Sequence, residues 1–412
     1  MPERSATIAA DESDFSMSRQ DAGASPVDET APASGKSAGP LPGTALCLSG
    51  GGYRAMVFHV GALWRLNELG LLRKLNRISS VSGGSITSGA LAVAWPRLAF
   101  DDNGIASRFS EELVEPVRRI AGRTIDVRAV IGSLLFPQSV GERVADAYDE
   151  HLFGGKTLQD IPAEEEGVAP RFVFNASNVQ SGVLFRFSRD YIRDYRVGKI
   201  ERPTLRLALA VAASSAFPPV LSPLKLTFQE SDYTPGSGDD LQRRPFTTSP
   251  VLTDGGVYDN LGLETAWKSY RTILVSDAGG SMEPQGMPKP DWFRHTKRVL
   301  DLIDSQVRSL RKRQANSAFR LPRDGGTAWR SGTYWGVQTN IAEYGLADAL
   351  PCPHSKTLLL AGEPTRLAKM SPRRQEQLIN WGYAVCDAAM RQWVTKEAAP
   401  PPRFPYPSVG IG

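Results

Sequence analysis

The stretch SSVSGGSITSG, residues 79–89, presents two hydroxyls that could act as nucleophiles, Ser82 and Ser85. Ser82 follows the short apolar run RISSV and precedes two glycines and an apolar, small-residue segment that ends before Pro96, the pattern of a strand, a sharp turn and a helix. In a nucleophile elbow such a turn lifts the serine Oγ above the end of a sheet, and its tightness demands small neighbours. Gly83 and Gly84 meet that demand, whereas Ser80 stands where the G-x-S-x-G pattern has its first glycine. Ser85 falls one turn into the helix, where a hydroxyl tends to bond backbone, so Ser82 is the favoured nucleophile.

Nucleophilic serine chemistry also needs a site for the developing oxyanion. Upstream, LSGGGYRA sets Gly50, Gly51 and Gly52 between the apolar run ALCLS and a helical pattern of Met56, Val60, Leu63 and Leu66. Successive backbone N–H groups at such a helix start form an anion cradle, and glycine leaves room for a substrate carbonyl to approach. The same residues match the G-x-G-x-x-A turn of dinucleotide-binding proteins, but that use needs a carboxylate ending the next strand, which ends instead in Ser80-Val81-Ser82. Arg54, in the first helical turn, places a cation where a phosphate or carboxylate headgroup would want one, and is equally compatible with a solvated helix residue.

For a base the chain offers His59, His151, His295 and His354, of which only the last two follow the candidate acids in the serine, acid, histidine order of α/β-hydrolases. Neither sits on a strand-end signature. VLTDGGVYDN instead puts Asp254 at the end of an apolar run before two glycines that keep its carboxylate approachable, and a carboxylate in a dry site can serve as the base directly. Asp259 and Asp277 are rivals, Asp277 the stronger because it too ends a strand-like run, RTILVSD.

These residues need a scaffold, and the chain reads as an α/β protein. Two strand-to-helix units in succession imply parallel strands with right-handed crossovers. RFVFNASNV, TLRLALAV, SPVLTD and RTILVSD read as further buried strands, ending where an α/β sheet collects ligand groups. Residues 97–165 read as a mixed helical region and 226–247 as a polar loop without a core pattern, and both are candidate lids or loops. Trp292 to Arg320 reads as an amphipathic helix with eight Lys or Arg against two Asp, a surface helix first and a membrane-contacting face second. Residues 1–40 read as a disordered tail, and 396–412 as a Pro-rich tail. At 41% hydrophobic and 22% charged, with a net charge of +4, the composition is that of a globular protein and does not argue for nucleic acid as a partner. Three cysteines without C-x-x-C spacing fit a reducing compartment. With no secretory pattern at the N-terminus and no bilayer-length apolar run, the expectation is a cytoplasmic protein, peripheral at a membrane at most.

SGGGYRA, then the serine elbow, then DGG far downstream without a matching histidine, resembles the patatin-like phospholipases and the related cytosolic phospholipase A catalytic domain. AVAASSAFPPVL, residues 210–221, resembles the family's small-residue segment ending in a Pro pair, and LINWGYAVCDAAM a further helix of its bacterial relatives. The resemblance implies a three-layer patatin-like fold, a central mostly parallel sheet flanked by helices, over residues 41–395. It implies Ser82 and Asp254 as a catalytic dyad, the Gly50–Gly52 loop as oxyanion hole, and Arg54 as a phosphate contact. The implied activity is lipid acyl hydrolysis of a phospholipid or lysophospholipid, without cofactor or metal. A nucleotide-binding oxidoreductase and a catalytically silent lipid-binding module on the same fold are the alternatives. Oligomeric state is not legible from the chain.

Overall fold

The computed structural model describes residues 39–125, 139–280, 282–323 and 326–412. The tail expected at 1–40 therefore lies outside the described residues except for its last two. The chain enters on β1 (Leu41–Leu48) and passes through α1 (Gly52–Glu68), β2 (Arg77–Val81), α2 (Gly83–Ala94), α3 (Glu115–Ala121) and α4 (Val140–Tyr148). An antiparallel run of β3 (Arg171–Asn178), β4 (Val183–Phe187), β5 (Tyr191–Asp194) and β6 (Gly198–Glu201) leads to α5 (Leu207–Ser214). Then come β7 (Leu224–Lys225), β8 (Val251–Asp254), short helices α6 (Gly256–Asp259) and α7 (Glu264–Trp267), β9 (Tyr270–Asp277) and the long helix α8 (Trp292–Phe319). The chain closes with β10 (Ser331–Gly336), α9 (His354–Ala361) and α10 (Pro372–Trp393).

All ten strands join one sheet in the order β10-β9-β1-β2-β3-β4-β5-β6, with β8 on β3 and β7 on β8. The block from β10 to β3 is parallel. The crossovers leave β1 toward β2 on one side while β9 lies on the other, so the connections diverge at β1. A crevice at the carboxyl ends of such strands is where α/β sheets take ligands.

The three layers follow from the alternation along β1. Leu46 and Leu48 face the larger core, with Met56, Leu63, Ile86 and Trp381 of α1, α2 and α10, whereas Ala45 and Cys47 face a smaller one with Leu261, Leu263, Ala266 and Ala315. Small residues let helices close up: a side chain on Gly382 would overlap the Phe58 carbonyl, which seats α10 against α1.

Two expectations change. Leu207–Val211 of TLRLALAV open helix α5 rather than a strand, because so short an apolar run carries no period, and its Ala and Leu are strong helix formers. The Pro-rich end is not a free tail. Asn380 holds both the backbone N–H and the carbonyl of Tyr406 and the Gly410 carbonyl, Arg118 lies over the Tyr406 ring, and Phe404 and Ile411 are buried.

Candidate active site

Ser82 sits at φ 52°, ψ −121°, between the end of β2 and the first residue of α2. That backbone is costly for a residue with a Cβ and persists only where its surroundings fix it. A side chain on Gly83 would overlap the Gly52 carbonyl, and one on Gly84 the Leu48 carbonyl, so the small residues of the elbow are what bring the Ser82 turn against the glycine loop. Gly83→Ala is accordingly expected to cost roughly 1–3 kcal/mol of stability and most activity, measurable by thermal melt and ester assay. Ser80, the departure from the elbow pattern, is buried with its hydroxyl on the Val173 carbonyl at 3.2 Å and so does not crowd the turn. Ser85 bonds not backbone but the hydroxyls of Ser80, at 3.0 Å, and Ser214, at 2.8 Å.

The three glycines differ in what their N–H groups do. That of Gly50 is taken, by the Asn260 carbonyl at 3.0 Å and the Asn260 side chain at 3.1 Å. Those of Gly51 and Gly52 lie before and at the start of α1, where no intrahelical acceptor exists, and have no hydrogen bond among the described residues. Gly51 at φ 142° and Gly52 at φ 59° aim them, and neither tolerates a side chain: a Cβ would lie 2.7 Å from the Ala278 carbonyl or from that of Arg366 respectively.

Arg54 is placed differently from a headgroup contact. It is buried behind the loop, with Nε on the Ala278 carbonyl at 3.1 Å, Nη1 on the Glu363 carbonyl and Nη2 on Thr365 Oγ1 at 3.1 Å. The guanidinium thus staples α1 to the segments 278–280 and 363–366, and it is not on the cavity wall.

Of the three carboxylates, only Asp254 keeps an oxygen unspent. Its Oδ1 accepts the Gly256 N–H at 2.7 Å, while buried Oδ2 has no settled partner. Burial pushes its pKa up to about 7 against the Gly256 N–H and the neighbouring Ser82 hydroxyl, with the charge of Asp304 adding to the rise. Asp277 is held as an ion: burial opposes its charge, but Arg308, the Tyr334 hydroxyl at 2.7 Å and the Gly279 N–H at 2.8 Å outweigh it and lower the pKa. Asp259 accepts the N–H groups of Leu261 and Glu264 and so fixes a turn.

Gly51, Gly52, Ser82, Asp254 and Asn260 share the floor of one cavity of about 750 Å³. No histidine lines it. His59 is buried, pairs with Ser276 Oγ and the Ser49 carbonyl, and burial lowers its pKa to about 4. Toward the mouth the wall is apolar along Phe217–Leu221, and α8 contributes Lys297, Arg298, Asp301 and Asp304. Among the described residues none from 97–165 or 226–247 reaches the cavity; α8 covers it instead. Asn260 and Asp304 had no sequence signal, since Asn260 matters through its contact with the distant Gly50 N–H and Asp304 through the packing of α8 along the cavity.

The model of the patatin-like phospholipase family matches residues 46–267, more than half of the chain and the whole span from glycine loop to Asp254. The chain belongs to the patatin-like phospholipase family. Membership sets aside the dinucleotide reading of the glycine loop. No curated protein sequence matches this patatin-like chain. Among solved structures, human GIVD cytosolic phospholipase A2 matches at a TM-score of 0.51 and 15% identity, covering 85% of this chain and 61% of that one. The same enzyme in complex with methyl gamma-linolenyl fluorophosphonate matches at 0.50 and 15%, covering 85% and 58%. VipD from Legionella pneumophila matches at 0.32 and 15%, covering 85% and 66%. At these identities the likeness is one of fold, and the patatin-like chain spans about three-fifths of the human enzyme's length. It has, among the described residues, no helix long and apolar enough to cross a membrane.

Proposed function

We propose that the protein hydrolyses fatty-acyl esters of phospholipids or lysophospholipids through Ser82 and Asp254. The observation that carries the reading is the Asp254 carboxylate, buried, with one free oxygen beside the Ser82 hydroxyl on the floor of a cavity that contains no histidine. As Ser82 Oγ attacks the ester carbonyl, Asp254 Oδ2 takes its proton. The negative charge passes to the carbonyl oxygen, where the Gly51 and Gly52 N–H groups can receive it; Gly50 takes no part, its N–H being committed to Asn260. Collapse breaks the ester C–O bond as Asp254 returns the proton to the departing alkoxide. Water, deprotonated by the same carboxylate, then attacks the acyl carbon, and the bond to Ser82 Oγ breaks as Asp254 returns the proton to that oxygen, releasing the fatty acid.

The mouth of the cavity favours a lipid surface over a dissolved ester. Along α8 and just before it, Met287, Trp292, Phe293, Leu300 and Ile303 are exposed, Trp292 by 79%, next to Lys297 and Arg298 at the rim. Aromatic and aliphatic side chains among cations suit the boundary between acyl chains and anionic headgroups. Phospholipid, lysophospholipid and neutral esters, each as monomers and as vesicles, test both parts of the reading with wild type and Ser82→Ala. Hydrolysis that rises on anionic vesicles and vanishes in Ser82→Ala is expected. Equal binding of vesicles by both proteins without hydrolysis by either would instead identify a silent lipid-binding module.

A further inference from the structure

The segment Ser214-Ser215-Ala216, which ends α5, touches both members of the Ser82–Asp254 pair, and we infer that it is the brace that sets their spacing, an inference that rests on the hydrolytic reading above. Ser82 leaves β2 and Asp254 ends β8, and β3 lies between these strands, parallel to the first and antiparallel to the second. No strand pairing links the two residues directly. The link runs through the end of α5.

On the nucleophile's side, the Ser82 N–H donates to Ser214 Oγ at 3.0 Å. Ser214 Oγ has a single proton, and that proton goes to the Asn175 carbonyl on β3 at 2.6 Å, since a carbonyl can only accept. The Ser214 oxygen is thereby oriented with its lone pairs toward Ser82, as an acceptor. The Ser82 N–H has no alternative in the turn: it precedes α2, so no helical carbonyl lies behind it, and at 7% exposure water does not reach it readily. On the base's side, the Asp254 N–H donates to the Ala216 carbonyl at 2.9 Å, the Gly255 N–H to the Ser214 carbonyl at 3.2 Å, and Thr253 Oγ1 to the Ala216 carbonyl at 3.1 Å. Ser214 and Ala216 therefore grip the strained elbow with a side chain and the end of β8 with backbone. Ser215 is different: its hydroxyl turns back to the Val211 carbonyl within α5. A positioning role thus falls on Ser214, whose hydroxyl is the side-chain part of the grip on the nucleophile's side.

Ser214→Thr and Ser214→Val have the same shape and differ in the hydroxyl, so their ratio isolates that hydroxyl, with its bonds to the Ser82 N–H, the Asn175 carbonyl and Ser85 Oγ, whatever the added methyl costs. Each is purified, checked for a cooperative melt, and compared with wild type for kcat and KM on a soluble ester, for the pH midpoint of kcat, and for the rate at which methyl gamma-linolenyl fluorophosphonate labels Ser82. The Val variant is expected to fall about tenfold or more below the Thr variant in kcat and in labelling rate, the loss typical of a displaced reacting group, with KM little changed. Its pH midpoint is expected to move up, because a displaced Ser82 hydroxyl no longer holds the Asp254 carboxylate down. Equal rates and equal midpoints in the two variants overturn the brace, including the case where only their melting temperatures differ. Failure of the probe to label Ser82 in wild type overturns the hydrolytic reading, and the brace with it.

Discussion

Ser82→Ala is expected to reduce ester hydrolysis by about ten-thousandfold or more, because loss of the nucleophile in a serine hydrolase leaves only what binding and oxyanion stabilisation supply. The protein should survive the change, since the Ser82 hydroxyl makes no hydrogen bond that holds the fold; its backbone N–H, kept by Ala, makes the one to Ser214. The strain at φ 52° is kept as well. Ser82→Gly, equally inactive, removes that strain and is expected to be about 1 kcal/mol more stable than Ser82→Ala in parallel denaturant titrations. Residual activity of Ser82→Ala near wild type would move the chemistry elsewhere, to Ser85 first.

Asp254→Asn is expected to lower kcat by roughly a thousandfold or more while raising stability at neutral pH. The first effect follows from losing the base. The second follows from its pKa. In the folded protein burial raises Asp254 from an ordinary 3.8 to about 7, so between these values the folded state binds a proton that the unfolded state has lost. Stability therefore declines as pH rises through that window, and the penalty is complete above about pH 7. Asn carries no such penalty, so the variant's advantage in melting temperature should grow from pH 4 to pH 7 and then level, at up to about 4 kcal/mol by the free-energy equivalent of each pKa unit. Wild-type kcat should show the complementary rise, gaining about tenfold per pH unit below 7, where the carboxylate must ionise to act, and flattening above it. Because Asp304 of α8 adds to the rise in the Asp254 pKa, Asp304→Asn should shift that midpoint to lower pH. A pH profile with no inflection near 7 would count against Asp254 as the base.

Much of this site was legible because its elements are local. A strand, a glycine turn and a helix start are contiguous in Leu46–Leu66 and again in Ile78–Leu91, and the backbone demands of each turn show in the residues that fill it. Asp254 was separable from Asp259 and Asp277 only in part, since what distinguishes them is which oxygens their neighbours leave unspent. Arg54 shows where local reading stops. A cation in the first turn of α1 invites an anionic ligand, but its acceptors are Ala278, just past β9, and Glu363 and Thr365, which the chain reaches only after α8 and α9. The commitment of the Gly50 N–H to Asn260, the ordering of the Pro-rich end and the packing of α8 along the cavity are likewise set by tertiary contacts. The apolar run at the start of α5 carries no period that separates helix from strand, so the grip of the helix end on Ser82 and Asp254 shows only once the helix is placed.

The most direct test of the account is to expose the wild-type protein and Asp254→Asn to methyl gamma-linolenyl fluorophosphonate and map the adduct by mass spectrometry. The account predicts one adduct, on Ser82, forming with a pH midpoint near 7 in wild type and at least a hundredfold more slowly in Asp254→Asn. An adduct on Ser85 or on any residue other than Ser82, or labelling of Ser82 at the same rate in both proteins, would contradict it.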